Sequence, residues 1–249
     1  MATAGHLADG LYVAFDYALR VLRVLVLLAL WRTVLPTGEV NGMTATALLT
    51  YAVVSEAFAN QLTVRTEMDI ALWNGSIAMY FLRPHAIVGG FAAEMLGRWA
   101  IDCVVFTVPL LALAPFLGVD PRPASALAGA LFVLSIVLGA SVGLALEFCF
   151  GGLTVWLEQN LWAVQQIRAS IERVLSGSVV PLQLLPWGLG AAFAWLPFAS
   201  IAAAPLRIYT GTGEPLSLLL VQLGWSVVLW PLAGWMWRAN RERLVGYGG

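Results

Sequence analysis

The residues able to do chemistry are few and sit in apolar company. Glu56, Asp102 and Glu147 fall within or at the end of long apolar stretches, where an ionisable side chain is costly and is a candidate for function by default. Glu94, Arg98 and Asp102 follow one another at four-residue spacing, as do Arg168 and Glu172. On a helix that spacing puts them on one face and predicts local ion pairs. The competing reading is a polar path through the membrane, formed by Glu56, Asp102, Gln165 and Arg168. Glu56 has no local partner by spacing, which leaves it facing a polar cavity or a neighbouring helix. A metal centre is not expected, because the histidines are His6 and His85 and there is no His-Glu-x-x-His helix. A serine nucleophile needs a partnered base, and neither histidine falls in a span. Ser176-Gly177-Ser178, with Pro181 close behind, reads as a helix terminus instead. No catalytic residue is assigned.

The chain contains no lysine; all 13 of its basic residues are arginine. That excludes a phosphate-binding P-loop, whose lysine holds the β- and γ-phosphates, and excludes Schiff-base and Ser-Lys chemistry. If ATP drives this protein, another chain hydrolyses it. Of 249 residues, 60% are hydrophobic and 11% charged, with a mean hydropathy of +0.84. Soluble domains are closer to a quarter charged, so the composition is that of a polytopic membrane protein. A formal charge of −1 removes the basic footprint of a nucleic-acid binder. Cys103 and Cys149 both sit in apolar stretches and indicate no disulfide framework. No cleavable leader is expected, since Asp9 and Asp16 replace a basic n-region.

Positioning these residues requires spans of roughly 20 apolar residues each. Five are predicted at Leu19–Leu35, Thr44–Leu62, Trp99–Leu117, Ala124–Leu146 and Leu216–Trp237. A sixth, Trp162–Leu182, carries Gln165, Gln166, Arg168, Glu172 and Arg173 and is read as a crossing inside the bundle. With six spans and both termini inside, ten arginines lie inside and three outside. Making Trp187–Ile208 a seventh span changes the split to eight and five, so the positive-inside rule favours six. Trp187–Ile208 then becomes a broken, partly re-entrant hairpin on the outer side, between spans five and six. The predicted fold is all-α, one transmembrane domain over residues 1–249.

Two connecting regions stand out. Between spans two and three, Ile70, Trp73, Ile77 and Tyr80 recur at helical spacing, with Asp69, Asn74 and Ser76 elsewhere around the helix. Pro84 disfavours helical geometry at Arg83, so an amphipathic helix ending there is expected at the cytoplasmic surface. Between spans five and six lies a dense run of breakers, including Gly177, Pro181, Pro186, Pro197 and Pro205. Irregular backbone at membrane depth persists where it is buried in protein or lines a wet cavity. A gate and an ordinary loop anchored by Trp187 and Trp195 both fit this pattern.

These features together resemble the membrane subunit of a type-2 ABC exporter. The stretch Gly75-Ser-Ile-Ala-Met-Tyr-Phe-Leu-Arg-Pro84 is similar to the Gly-x-x-x-x-x-x-Leu-Arg-Pro element that follows the second span in such permeases. Leu175-Ser-Gly-Ser-Val-Val-Pro-Leu-Gln-Leu-Leu-Pro186 resembles the family's Leu/Phe-Ser-Gly-x-x-x-Pro-x-x-x-x-Pro signature. Leu196-Pro-Phe198 and Pro205-Leu-Arg-Ile-Tyr-Thr-Gly211 follow in family order. The resemblance runs from about Leu19 to Arg243. It implies two facing permeases, identical or paralogous, each docked to a cytoplasmic ABC ATPase that binds ATP and Mg, with no cofactor in this chain. The surface helix with Asp69, Ile70, Trp73, Ile77, Tyr80, Arg83 and Pro84 would couple to that ATPase, and the Gly177–Pro205 segment would gate the exit. Arginine for lysine and alanine-rich spans suggest a GC-rich bacterial genome, hence a bacterial cytoplasmic membrane. The alternatives are an ion-coupled carrier or channel working alone through Glu56 or Asp102, and an integral-membrane enzyme acting on lipid.

Overall fold

A computed structural model describes residues 2–35, 38–81, 87–157 and 161–240. The chain is almost wholly helical: α1 (Ala2–Val34), a tiny β1 (Glu39–Val40) and β2 (Met43–Thr44) hairpin, α2 (Ala45–Ala57), α3 (Met68–Trp73), α4 (Ile77–Phe81), α5 (Ile87–Asp102), α6 (Val108–Leu113), α7 (Ala126–Leu157), α8 (Leu161–Leu175), α9 (Leu189–Ala194), α10 (Ala203–Thr210) and α11 (Pro215–Ala239). Among the described residues, three helical runs are long and apolar enough to cross a membrane: Ile87–Leu117, Ala126–Trp156 and Pro215–Ala239. This is the composition of an all-α membrane protein.

The remaining predicted spans depart from simple crossings. α1 has the length, but Asp16, Arg20, Arg23 and Arg32 punctuate it. α2 is a 13-residue helix rather than the expected Thr44–Leu62. It stops at Ala57 and residues 58–63 turn, because Asn60 and Gln61 are drawn to a carboxylate on α5. The Trp162–Leu182 segment is also not one helix. α8 ends at Leu175, and Gly177 adopts φ +74, a left-handed conformation natural to glycine. The glycine terminus read from Ser176-Gly177-Ser178 is therefore correct. At about 1.5 Å per residue, the 15-residue α8 spans about 22 Å, less than a bilayer core of about 30 Å. The third span begins earlier than expected, at Ile87, and contains a π-helical turn at Cys103–Thr107.

α7 is the central post. α11 lies along it, pinned by Trp230 Nε1 donating to Ser141 Oγ at 3.0 Å and Trp237 Nε1 donating to the Phe148 carbonyl at 2.9 Å. Lipid supplies no hydrophobic drive between helices, so close packing matters more than area. Gly143 shows how close it is: a Cβ there would stand 2.5 Å from Val64. α1, α2 and the α5–α6 run form a second layer around Val24, Leu28, Val53 and Leu110.

The Trp187–Ile208 region is not one continuous helix. The breaker-rich segment that contains it folds as a 3-10 turn (Leu182–Leu184), α9, a run of tight turns and α10. Ile201, Ala202 and Leu206 are buried, with Leu206 and Tyr209 packed beside Tyr51 and Phe132. The stretch from Ala199 to Leu206 is thus enclosed by protein, the condition membrane depth imposes, whereas Val179, Val180 and residues 186–189 are exposed. Trp187 and Trp195 face outward.

Candidate functional site

The segment linking α2 to α5 carries the first candidate group. The sequence predicts one helix with a stripe of Ile70, Trp73, Ile77 and Tyr80; the structure breaks it in two. Gly75 takes φ +74 between α3 and α4, and Asn74 Oδ1 accepts from the Ser76 N–H at 2.9 Å. The break separates the stripe. Ile77 is fully buried with Met68 and Leu72 against Phe148 and Phe91, and Tyr80 stacks on Phe91 with ring centroids 4.6 Å apart. Ile70 and Trp73 point the other way, 52% and 72% exposed. Periodicity found the apolar residues but joined two faces: Ile77 and Tyr80 anchor, while Ile70 and Trp73 are left outside. Asp69 lies in the first turn of α3, and Arg83 and Pro84 lie outside the described residues. α3 is seated on α7, where a Cβ at Gly151 would come within 2.8 Å of Met68.

Asp102 is the second. The predicted pairing of Glu94, Arg98 and Asp102 does not form. Arg98 donates to Glu67 at 2.8 Å and to the Arg65 carbonyl at 3.1 Å, and Glu94 accepts from the Tyr80 hydroxyl at 3.2 Å. Asp102 is buried and receives Arg20 at 2.9 Å, Asn60 at 2.6 Å and Gln61 at 3.1 Å. A buried carboxylate needs several donors, and an exposed i+4 neighbour offers too little. Arg20 also lies 4.1 Å from the centre of the Phe106 ring, within the π turn. Thr107, the last residue of that turn, donates to the Ala57 carbonyl at 2.7 Å. Both ends of the π turn are therefore tied to the end of α2. Glu56 finds Arg23 of α1 at 3.7 Å, so it faces a neighbouring helix.

A third group lies where α7, α8 and α3 meet. Arg168 does not take Glu172 as its ion-pair partner; it lies 3.6 Å from Glu147 and donates to the Val64 carbonyl at 2.9 Å. Glu147 also accepts from the Thr66 N–H at 2.9 Å. Gln165 lines the same cavity as these residues. Asp102 and Arg168, both candidates for a pathway, thus belong to separate clusters, and each is engaged by protein partners.

The gate candidates are spread over the buried and the exposed parts of the breaker-rich segment. Gly177, Pro181, Pro197 and Pro205 are buried, and Pro186 is exposed beside Trp187. The Gly177 carbonyl accepts from the Tyr51 hydroxyl at 2.6 Å, and Ser178 from Ser55 at 2.5 Å. The Ala203 N–H donates to the Ser176 carbonyl at 2.8 Å, bringing the start of the segment against α10. Tyr209 donates to the Pro121 carbonyl, joining α10 to the turn before α7. Sequence reasoning missed Gln222. Fully buried on α11, it donates to the carbonyls of Ser200 at 2.7 Å and Ser135 at 3.0 Å, and accepts from the Ser135 hydroxyl. Its signal was visible as the one amide in an otherwise apolar span. Arg20 was missed too, having been counted for orientation alone.

A mostly helical chain with three runs long and apolar enough to cross a membrane belongs among the multi-pass membrane proteins. The family comparison makes this specific. The model for the ABC-2 family transporter protein matches residues 19–248, and the chain belongs to that family. None of the curated proteins and none of the solved structures matches the chain. It is a membrane permease of an ABC transporter, and the family implies association with an ABC ATPase.

Proposed function

We propose that the chain is the permease subunit of an ABC exporter. It sits in the bacterial cytoplasmic membrane as six segments with both termini inside, α2 and α8 each reaching across together with the irregular backbone that follows it, and lines the path with a second permease, identical or paralogous. A separate ATPase chain binds ATP and Mg. α3 is the lever that the ATPase pushes, with Arg83 and Pro84 completing the contact, and the Gly177–Pro205 segment gates the exit. The observation carrying this reading is the division of α3 and α4 into two faces. Met68, Leu72 and Ile77 brace the lever on α7, while Ile70 and Trp73 stay exposed on a short, rigid element. Exposed aromatic residues of this kind commonly act as interface anchors. Force applied to α3 passes to α7 and, through residues 58–66, to the Asp102 junction. The ion pairs around Asp102 and Arg168 support a mechanical role for them more than a polar path.

Co-purification with the ABC ATPase expressed beside it tests the reading. Trp73→Ala should weaken capture about tenfold or more, as loss of an aromatic anchor does, whereas Tyr80→Phe should leave the docking face intact. Transport in vesicles that needs no ATPase and collapses with the proton gradient would replace this reading with the carrier.

A further inference from the structure

A cavity of about 310 Å³ opens between α3, α7 and α8. Its floor holds two buried carboxylates, Glu147 (2% exposed) and Glu172 (6% exposed). Glu147 Oε1 is occupied by the Thr66 N–H and by Arg168, but its Oε2 has no hydrogen-bond partner among the described residues. Neither has Oε1 of Glu172. Arg168 divides its guanidinium between Glu147 and the Val64 carbonyl. The other two arginines of the lining, Arg65 and Arg173, are exposed and donate to neither carboxylate. Buried carboxylate oxygens without donors are costly, and what they lack is N–H groups.

Ile70 and Trp73 form part of the wall of this cavity. Whatever covers that exposed pair also covers the mouth. We propose that the cavity receives a basic side chain of the ABC ATPase, whose cationic head bridges the free oxygens of Glu147 and Glu172. The inference rests on α3 being the docking element and adds the chemistry of the partner residue. A guanidinium offers five N–H donors in a fork suited to two carboxylates. The aliphatic stem of such a side chain packs on apolar surface while its head reaches the charges, and Trp73 and Ile70 supply that surface. In the proposed six-segment topology α7 begins at the outer edge of the core, and Glu147, about 32 Å along it from Ala126 at about 1.5 Å per residue, then falls at the inner edge of a bilayer core of about 30 Å.

The test titrates the purified full-length permease with its ABC ATPase over a range of NaCl concentrations. Glu147→Gln/Glu172→Gln should weaken binding on the order of a hundredfold, as loss of a buried interfacial charge pair does, and, by removing two acidic charges from the docking face, flatten its salt dependence. Trp73→Ala should weaken binding yet keep the wild-type salt slope. Because Glu147 also braces Thr66 and Arg168, Glu172→Gln is measured alone as well, and should by itself weaken binding several-fold. Wild-type affinity and salt slope in Glu172→Gln and in the double variant would overturn the proposal while leaving the docking reading standing. A wild-type permease that binds no ATPase would overturn both.

Discussion

At Asp102, three parts of the chain meet through charge: Arg20 from α1, Asn60 and Gln61 from the turn after α2, and the carboxylate on α5. At Gln222 three parts also meet, α7, α11 and the turn at Ser200, but every group is neutral. Both junctions are buried, yet they respond differently to losing one member. A buried charge without its partner is severely destabilising, while a buried amide that loses one bond leaves neutral groups short of partners. The charged junction lies at a π turn, and such turns are frequent at functional sites. The neutral one ties the buried turn at Ser200 to α7 and α11. On the proposed reading, the charged junction lies on the route of force from α3 and the neutral one steadies the segment proposed as gate.

The largest effect should come from halving the charged junction. Arg20→Leu leaves Asp102 buried with its amide donors but no counter-charge, and should cost about 3–5 kcal/mol. Thermal unfolding in detergent would register this as a large fall in Tm. Arg20→Leu combined with Asp102→Leu should recover most of the loss, since replacing both charges removes the desolvation cost. A double variant no more stable than either single one would mean that the junction is held by its amides, and the contrast with Gln222 would fail.

Gln222→Leu should cost less, about 1–2 kcal/mol, because interhelical hydrogen bonds in membranes are individually modest. Its effect should also be local. Hydrogen exchange should rise over residues 196–203, whose turn it anchors, and remain unchanged in α1. Equal loosening of both regions would show that the two junctions form one cooperative unit.

The sequence made the membrane class, the missing P-loop and the three apolar runs able to cross a membrane legible, with the start of the first placed at Trp99 rather than Ile87, because these depend on composition and local period. It also located the end of α8 at Gly177. The partners of Asp102 were not legible. Four-residue spacing suggested Arg98, but an exposed i+4 pair contributes only about 0.3–0.5 kcal/mol, and tertiary contacts override it. Arg20 lies 82 residues from Asp102 in the chain, and no local pattern announces that approach. The two faces of α3 and α4 were hidden for a related reason: a helical period continues through Gly75 on paper, while the backbone turns there. Gln222 was legible in principle, as an amide in an apolar span, although its three partners lie on other elements and no local spacing names them.

The smallest effect belongs to the N-terminal cap of α11. Glu214 precedes the helix, and its carboxylate accepts from the N–H groups of Ser217 at 2.7 Å and Leu216 at 3.3 Å. These bonds, that of Ser217 first, hold its carboxyl below the ordinary value of 4.5. A carboxyl lowered by folding stabilises the protein fully above its ordinary value, and that contribution is lost as pH falls through the lowered one. Glu214→Gln keeps an oxygen acceptor but does not titrate. Below pH 4.5 the wild type should lose stability more steeply than the variant, with a difference in Tm of at most about 2 °C because the site is exposed. A larger gap on acidification would mean that α11 is held by its charged cap more than by Gln222, which would reverse the assignment of neutral bonding to this half of the bundle.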